Sequence, residues 1–562
     1  MQNPKNGPKT FHFKMKSYLC FLPTNLFNMK SFLWSLCAYF LCFSLQAQES
    51  YHLVPKPAKL TPVQGKFIFQ KSTVITLSTQ DESFNAVATM LKDQINVSSG
   101  LNLTIKSGSP SSKGIVFVQN TSLGEEAYRL NISTKKIEIQ AKSGKGAFYA
   151  LQTLFQLMPA QIYSNVTSNQ ELTALACQIE DAPRFSYRGM MLDVGRYYFP
   201  VSFIKRFLDL MAVYKLNTFH WHLTEDQGWR IEIKKYPLLT SVSSIRKETM
   251  VGHYRDQKFD NKPYGGFYTQ EEIKDVIAYA SKKFITIIPE IEMPGHSQAV
   301  LAAYPELGCN PDKIYQVATK WGISEDVLCP REETFTFMEN VLTEVMALFP
   351  GQYIHIGGDE CPKKQWKESR FCQDLIKKLG LKDEHELQSY FIRRIDKFVT
   401  SKGKKLLGWD EILEGGLSPN AMVMSWRGTK GGIEAAKQNH DVVMSPNSFF
   451  YLDYYQADPK TQPLAIGGNL PLSKSYSFEP DLPELTADEA KHIVGIQANV
   501  WTEYISTPAY AEYMTFPRAL ALSEISWSPK QPKDYDDFLC RVKGILPGMD
   551  ALKINYCPVG LK

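Results

Sequence analysis

The hydrophobic pattern changes near residue 181, where short apolar runs begin to alternate with longer stretches of helical periodicity. Eight runs have the length and apolar content of buried strands; they are 190–194, 218–223, 285–290, 353–356, 405–409, 422–426, 442–445 and 495–501. Four stretches between them repeat apolar residues at helical spacing; they are 201–216, 270–283, 332–349 and 384–401. The alternation predicts an α/β fold, a (β/α)8 TIM barrel, rather than an open doubly wound sheet, because no Gly-x-Gly-x-x-Gly loop follows the first strand.

The chain before the barrel has a different pattern. Apolar and polar residues alternate at 66–69 and 136–140, as in half-buried strands, and 146–157 has helical spacing. These features predict a small α/β domain that supports the barrel. The predicted divisions are a leader at 1–47, the small domain at 48–180, the catalytic barrel at 181–530 and a C-terminal tail at 531–562 that packs on the barrel.

The leader has the order of a secretory signal. An apolar run at 31–45 follows Met29-Lys30 and is followed by the small residue Ala47, after which we expect cleavage. The run is shorter than the roughly 20 residues of a spanning helix, which argues against a membrane anchor. Met29 is an alternative start, and a lipid anchor at Cys37 or Cys42 is an alternative to release. The predicted location is secreted or periplasmic, with no transmembrane span in the mature chain.

Composition and charge are those of a soluble protein and do not favour nucleic-acid binding. The chain has 562 residues, of which 44% are hydrophobic and 22% are charged, as in soluble multidomain proteins. The formal net charge is +5, but the leader holds five lysines and no acidic residue, so subtracting them leaves zero (5 − 5). The balance therefore gives no indication of a nucleic-acid partner.

Seven cysteines lie outside the leader. Six of them fall into local pairs, which predicts disulfides in an oxidising compartment, with the connectivity left open; the pairs are Cys309 and Cys329, Cys361 and Cys372, and Cys540 and Cys557. Cys177 remains as an odd thiol. No Cys-x-x-Cys spacing with nearby histidines occurs, so we predict no structural zinc, and nothing indicates another metal or a cofactor.

The fourth predicted strand ends in an unusual way. Two glycines follow it, and then two adjacent carboxylates, Asp359 and Glu360. Neighbouring carboxylates at a buried strand end repel each other, so one is expected to hold its proton near neutral pH while the other is ionised. Taken alone, the four residues fit a helix N-cap turn equally well.

The other strand ends decide between these interpretations. Catalytic groups of such barrels come from the C-terminal ends of the strands. Nearly every predicted end carries an acid, a ring or an arginine; in order they are Asp193 and Arg196, Glu225 and Asp226, Glu290 and His296, Asp359 and Glu360, Trp409, Trp426, Tyr451 and Asp453, and Trp501 and Glu503. Such a set at one end of the barrel indicates an active site.

Five motifs together resemble the ordered motifs of glycoside hydrolase family 20, the β-N-acetylhexosaminidases. They are Leu-Asp-Val-Gly-Arg (192–196), His-Trp-His-Leu-Thr-Glu-Asp-Gln-Gly-Trp-Arg (220–230), Pro-Glu-Ile-Glu-Met-Pro-Gly-His (289–296), Gly-Gly-Asp-Glu (357–360) and Trp-Thr-Glu (501–503). The resemblance covers roughly residues 51–545. It implies an exo-acting, retaining hydrolase of terminal β-linked GlcNAc or GalNAc that needs no metal.

In that family the nucleophile is the substrate's own 2-acetamido oxygen, which forms an oxazolinium intermediate. The resemblance implies that Glu360 is the general acid and base, that Asp359 holds the acetamido N–H, and that Tyr451 holds its carbonyl oxygen. His296 would tune Glu360 together with Glu225, although many relatives have Asp at the Glu225 position.

The resemblance also implies a binding pocket. Trp409, Trp426 and Trp501 would wall the acetamido group, while other side chains would bind the sugar hydroxyls; these are Arg196, Asp453 and Glu503. Where some relatives carry a further tryptophan, residues 465–468 read Ala-Ile-Gly-Gly, which predicts an open leaving-group site. The alternatives are a lacto-N-biosidase-like relative and a glycan-binding protein without turnover. The expected partner is a glycan or glycoconjugate, and oligomeric state is not predicted.

Overall fold

The computed structural model describes residues 51–561, so the predicted leader and its cleavage site lie outside the described residues. The first part of this range forms a seven-stranded sheet with helices packed on it. Its elements are β1 (Lys59–Ile68), β2 (Val74–Ser78), α1 (Ser83–Ser99), β3 (Thr104–Ser107), β4 (Gly114–Gln119), β5 (Tyr128–Ile132), β6 (Lys136–Ala141), α2 (Gly144–Gln156) and β7 (Thr173–Asp181). The strand order is β1-β7-β5-β6-β4-β2-β3.

The alternation of apolar and polar residues along the strands determines which face of this sheet is buried. Ile137, Ile139 and Ala141 of β6 are buried, while the residues between them are partly exposed. Helix α2 packs on β5 and β6 and is buried along nearly all of its length. The predicted small α/β domain is therefore present, with its core between the sheet and α2.

Eight parallel strands form a closed barrel, as the pattern predicted. They are β8 (Tyr187–Asp193), β9 (Thr218–His222), β10 (Thr286–Glu290), β11 (Tyr353–His355), β12 (Lys405–Trp409), β13 (Met422–Ser425), β14 (Val442–Met444) and β15 (Ile493–Val500). Each strand pairs with the next, and β15 pairs with β8 to close the ring.

Helices surround the barrel. The longer ones are α3 (Val201–Val213), α4 (Gln270–Ser281), α5 (Glu332–Leu348), α6 (Arg370–Leu379), α7 (Glu384–Ser401), α8 (Lys430–Lys437), α9 (Pro508–Thr515), α10 (Arg518–Trp527) and α11 (Tyr535–Ala551). The predicted helix 201–216 ends early because Lys215 adopts a left-handed φ of 59° and turns the chain toward β9.

Buried polar contacts join the small domain to the bottom of the barrel. The Lys215 ammonium lies 3.1 Å from an Asp181 carboxylate oxygen and 2.9 Å from the Tyr128 hydroxyl. The Arg188 guanidinium lies 2.7 Å from a Glu126 oxygen. Since buried charges are costly unless they are paired, these contacts orient the small domain against β8 and the loop before β9.

The C-terminal helix α11 packs close to the start of the described chain. Arg541 donates to Glu524 of α10 at 2.9 Å and to the Leu53 carbonyl oxygen at 2.8 Å. Among residues 51–561, no helix combines the length and apolar character that crossing a membrane requires.

Two of the three predicted cysteine pairs differ from the arrangement in the structure. All seven described cysteines are free thiols. Cys372 does not pair with Cys361, because its sulfur lies 3.8 Å from that of Cys329, with Cys309 as a third neighbour. Helix α6 brings Cys372 to the base of a loop between 309 and 329, a contact that local spacing could not reveal.

The pair Cys540 and Cys557 is also not formed. Cys540 is exposed on α11, whereas Cys557 is buried and its sulfur lies 3.3 Å from the Tyr513 hydroxyl oxygen. The two thiols therefore have different surroundings. The third predicted pair, Cys309 and Cys329, is brought together, but in a group of three sulfurs.

Candidate active site

The glycines after β11 allow the chain to turn its carboxylates into the barrel mouth. Gly357 has a φ of 67°, and a Cβ atom there would overlap the Glu292 carboxylate. Gly358 follows with a φ of 90°. Glu360 itself has a φ of 42°, which is costly for a residue with a side chain and is typical of functional sites. The backbone is thus bent where the two carboxylates project.

The two carboxylates have different surroundings. The Asp359 side chain is buried, at 11% exposed, while the Glu360 side chain is 35% exposed. Burial raises the pKa of Asp359 to about 7; a positive charge on His296 opposes this shift, and Glu290 and Glu360 add to it. The predicted proton near neutral pH is therefore favoured on Asp359.

His296 connects these carboxylates to the adjacent strand end. Its Nδ1 atom lies 2.8 Å from Glu225 Oε1, and its Nε2 atom lies 3.5 Å from Glu360 Oε2 and 3.7 Å from Asp359 Oδ2. Burial lowers the pKa of His296, but the surrounding carboxylates, Glu225 foremost, raise it well above the ordinary value. The extra methylene of Glu225 therefore does not prevent contact with the histidine.

Arg196 lies among carboxylates, one of which, Glu225, also contacts His296. Its guanidinium is 3.4 Å from Asp193, 3.3 Å from Glu225 and 3.9 Å from Glu503, and it lies over the Trp501 ring. Asp193 fixes the loop around it by accepting hydrogen bonds from the backbone N–H groups of Gly195 and Thr502. Arg196 is thus held in place before any ligand binds.

Two further acids near Arg196 favour their neutral forms. Burial raises the pKa of Asp453 well above its ordinary value, and the nearby Glu503 adds to the effect. Burial also raises the pKa of Glu503, although Arg196 opposes it. One carboxyl oxygen of each is buried and has no hydrogen-bond partner among the described residues. Such groups are suited to a polar ligand that supplies the missing partners.

Aromatic rings form the apolar wall. Trp426 stacks on Tyr451 with ring centroids 5.8 Å apart and an interplanar angle of 12°. The Trp501 ring lies 6.0 Å from that of Tyr451. Trp409 lies deeper, at 1% exposed; its ring is 5.7 Å from Trp501 and its indole N–H donates to Glu290 Oε1 at 2.8 Å.

A buried polar network lies beneath this wall. Glu290 is 2.7 Å from His220 Nε2 and 2.8 Å from His355 Nδ1, in addition to its bond from Trp409. These atoms are close enough to surround a cation. Because the Trp409 indole donates to Glu290 Oε1 and His220 Nε2 lies against the other carboxylate oxygen, we interpret the cluster as a support for Trp409.

The cavity at the barrel mouth has a volume of about 390 Å³. Ten of the eleven predicted site residues line it, and Trp409 is the exception; the ten are Arg196, Glu225, His296, Asp359, Glu360, Trp426, Tyr451, Asp453, Trp501 and Glu503. Their chemical roles remain predictions. The arrangement places a carboxylate pair, a histidine and aromatic walls around one pocket, as acid–base chemistry on a neutral polar ligand requires.

Sequence reasoning missed several residues of the cavity. These are Tyr254, Trp321, Gly322, Ile323, Tyr454, Ile466 and Tyr504. Tyr454 and Tyr504 directly follow predicted residues, so their position was a usable signal. Trp321 and Ile323 come from the long loop between 309 and 329, which no strand-end rule covers. Ile466 lies in the stretch predicted to leave the site open, and it lines the cavity.

Comparison with known proteins identifies the family of both folded regions. Residues 185–530 match the model of glycosyl hydrolase family 20, catalytic domain, and residues 50–182 match that of glycosyl hydrolase family 20, domain 2. A β-hexosaminidase of Porphyromonas gingivalis is 47% identical over 90% of this chain, which spans 64% of that relative. A β-hexosaminidase of Vibrio furnissii is 37% identical over 85% of this chain and 77% of its own length.

Solved structures agree with the sequence relatives. The GH20 exo-β-N-acetylglucosaminidase from Vibrio harveyi, determined in complex with N-acetylglucosamine, superposes with a TM-score of 0.80. It is 38% identical, and the match covers 91% of this chain and 78% of that chain. The family models cover most of this chain, and the motifs, the closed barrel and the preceding small domain agree with them. The chain therefore belongs to glycosyl hydrolase family 20.

Proposed function

We propose that this protein is an exo-acting, retaining β-N-acetylhexosaminidase that removes terminal β-linked GlcNAc or GalNAc by substrate-assisted catalysis. The observation that carries the proposal is the position of Asp359 beside Glu360. Asp359 Oδ1 is buried and has no hydrogen-bond partner among the described residues, and Asp359 lines the same cavity as Tyr451. A substrate acetamido N–H would supply the missing partner.

The placement of the acids supports an internal nucleophile. In the two-carboxylate retaining scheme, the acid and the nucleophile flank the bond from opposite sides, about 5 Å apart. Asp359 and Glu360 are instead neighbours on one strand end. Asp453 and Glu503, which line the same cavity, have raised pKa values that favour neutral carboxyl groups suited to hydroxyl binding. The nucleophile is therefore the acetamido oxygen of the substrate, which would attack the anomeric carbon.

Glu360 would give its proton to the glycosidic oxygen as that bond breaks, and would later accept a proton from the attacking water. Asp359 would orient the acetamido group and stabilise the positive charge of the oxazolinium. Trp426, Tyr451 and Trp501 would exclude water that competes with the internal nucleophile. His296 adjoins both carboxylates, and its positive charge lowers the pKa of Asp359 against the effect of burial.

Hydrolysis of aryl glycosides tests the proposal directly. We expect release of the aryl group from an aryl β-GlcNAc, and at least about 10²-fold slower release from the matched aryl β-glucoside, because the glucoside lacks the nucleophile. A GlcNAc-thiazoline should inhibit competitively. Equal rates on both glycosides would contradict substrate assistance. Faster release of a disaccharide aryl glycoside would favour the lacto-N-biosidase alternative, and sugar binding without turnover would favour a binding protein.

The decrease of kcat/KM at low pH should follow the protonation of Asp359. Its proposed role needs the carboxylate, whereas its pKa is raised to about 7. We therefore expect kcat/KM to fall as the pH drops through 7, to about a tenth of its plateau one unit below. Stability should change in the opposite direction, because a raised carboxyl pKa favours the folded state at low pH and that contribution is lost as the pH rises through 7. A kcat/KM that stays flat from pH 8 to 5 would contradict this role.

A further inference from the structure

Three cysteine sulfurs meet at the base of the loop between 309 and 329. The Cys329 and Cys372 sulfurs are 3.8 Å apart, and all three sulfurs, including that of Cys309, lie within 4.8 Å of one another. Cys329 and Cys372 are buried, whereas Cys309 is partly exposed. The cluster thus joins both ends of one loop to helix α6 and keeps one side open to solvent.

The surroundings suit a metal-bound thiolate. Cys372 lies in the first turn of α6, where its backbone N–H donates to the Ser369 side chain. The Arg331 guanidinium lies over the ring of Phe371, the residue before Cys372. A helix N-terminus and a guanidinium are features that stabilise thiolates in proteins.

The spacing of the sulfurs fits a metal ion better than a disulfide. Zinc binds thiolate sulfur at about 2.3 Å, so two ligands of a tetrahedral zinc ion lie about 3.8 Å apart. A disulfide would use two of the sulfurs and leave the third thiolate beside it as a nucleophile able to exchange with it. A metal ion uses all three.

We propose that Cys309, Cys329 and Cys372 form a binding site for a thiophilic divalent cation of the zinc class. Water would occupy the fourth position on the open side of Cys309. Sequence spacing does not indicate this site, because successive ligands are 20 and 43 residues apart and no Cys-x-x-Cys pair occurs.

The position of the site gives it a structural consequence. The Cys329 backbone N–H donates to the Leu307 carbonyl oxygen at 2.8 Å, and Gly308 forms a β-bridge with Leu328. The loop closed in this way brings Trp321 and Ile323 to the cavity mouth. A bound ion would fasten the base of this loop to α6 and so restrict the part that faces a ligand. This role does not depend on the proposed hydrolysis.

Cobalt substitution tests the site in the full chain. The protein is reduced, freed of metal with a chelator and titrated anaerobically with Co²⁺. We expect one ion per chain, an intense near-ultraviolet thiolate-to-cobalt charge-transfer band, and a rise in Tm when Zn²⁺ replaces Co²⁺. Cys372→Ser should lose most of the charge-transfer intensity, and the matched Cys540→Ser, at an exposed cysteine, should retain it.

A second measurement keeps the test independent of whether Cys372→Ser folds. In the unaltered chain, Zn²⁺ should protect the partly exposed Cys309 from alkylation, as read by peptide mass spectrometry, while the exposed Cys540 reacts in both forms. The proposal is overturned if the reduced chain binds no Co²⁺, or if protein isolated without reductant contains a disulfide among these cysteines and no metal.

Discussion

Replacement of Glu360 by glutamine is expected to lower kcat on a β-GlcNAc with an alcohol leaving group by about 10²–10⁴-fold, the usual contribution of a general acid. Glutamine keeps the size of the side chain and its reach toward His296, but it has no carboxyl proton to give. Because Glu360 is partly exposed at the cavity mouth, the substitution should leave the core unchanged. Steady-state kinetics and Tm, measured on the same preparation, separate chemistry from folding.

The leaving group supplies the control within this experiment. An activated aryl leaving group departs without protonation, so Glu360→Gln should lose far less rate in its glycosylation step than with an alkyl glycoside. For each substrate, the rate of the variant is divided by that of the unaltered enzyme. The difference between the two losses of rate then measures the contribution of Glu360 as a general acid. An equal loss on both substrates, with unchanged Tm, would indicate that Glu360 positions the sugar and does not protonate it.

The barrel was predictable because its signals are local. The predicted run 405–409 and the predicted helix 384–401 coincide with β12 and α7. Buried parallel strands are nearly continuous apolar runs, and helices between them must be amphipathic, so period and length suffice to find both. The strand-end rule then placed most of the site, since parallel strands carry their C-terminal residues to one rim.

The rest depended on contacts between distant segments. Trp409 occupies a strand end like Trp426, yet it lies a layer deeper because its indole donates to Glu290 of β10. Tyr451 follows a short helix, Asn447–Phe450, and bridges to Asn499 of β15. Neither arrangement has a period or a motif in the sequence.

Loops gave the weakest sequence signals. The segment between 309 and 329 supplies Trp321 and Ile323 to the cavity, although it contains no regular element that patterning could detect. Its base is set by Cys309 and Cys329, and the third cysteine comes from α6. Pairing by the shortest spacing joined Cys372 to Cys361, because sequence distance does not measure distance in the fold.

Replacement of Asp359 by asparagine is expected to lower kcat by about 10²–10³-fold, the cost of removing one preorganised group from a developing charge. The amide keeps the shape of the side chain, but it carries no negative charge toward the oxazolinium and presents an N–H₂ group as readily as an oxygen. The substrate acetamido group would then be free to rotate away from the anomeric carbon. Steady-state kinetics on the aryl β-GlcNAc would measure the loss.

Glu411 provides the matched control for this substitution. It is also a buried carboxyl near Asp359, and burial, with Asp359 and Asp410, raises its pKa to about 9, so it is neutral at pH 7. It accepts a hydrogen bond from the Trp426 indole at 2.9 Å, which a glutamine oxygen can accept as well. Glu411→Gln should therefore cost less than about tenfold in kcat, since it removes no charge. Similar losses in both variants would mean that packing around Trp426, and not the charge of Asp359, determines the rate.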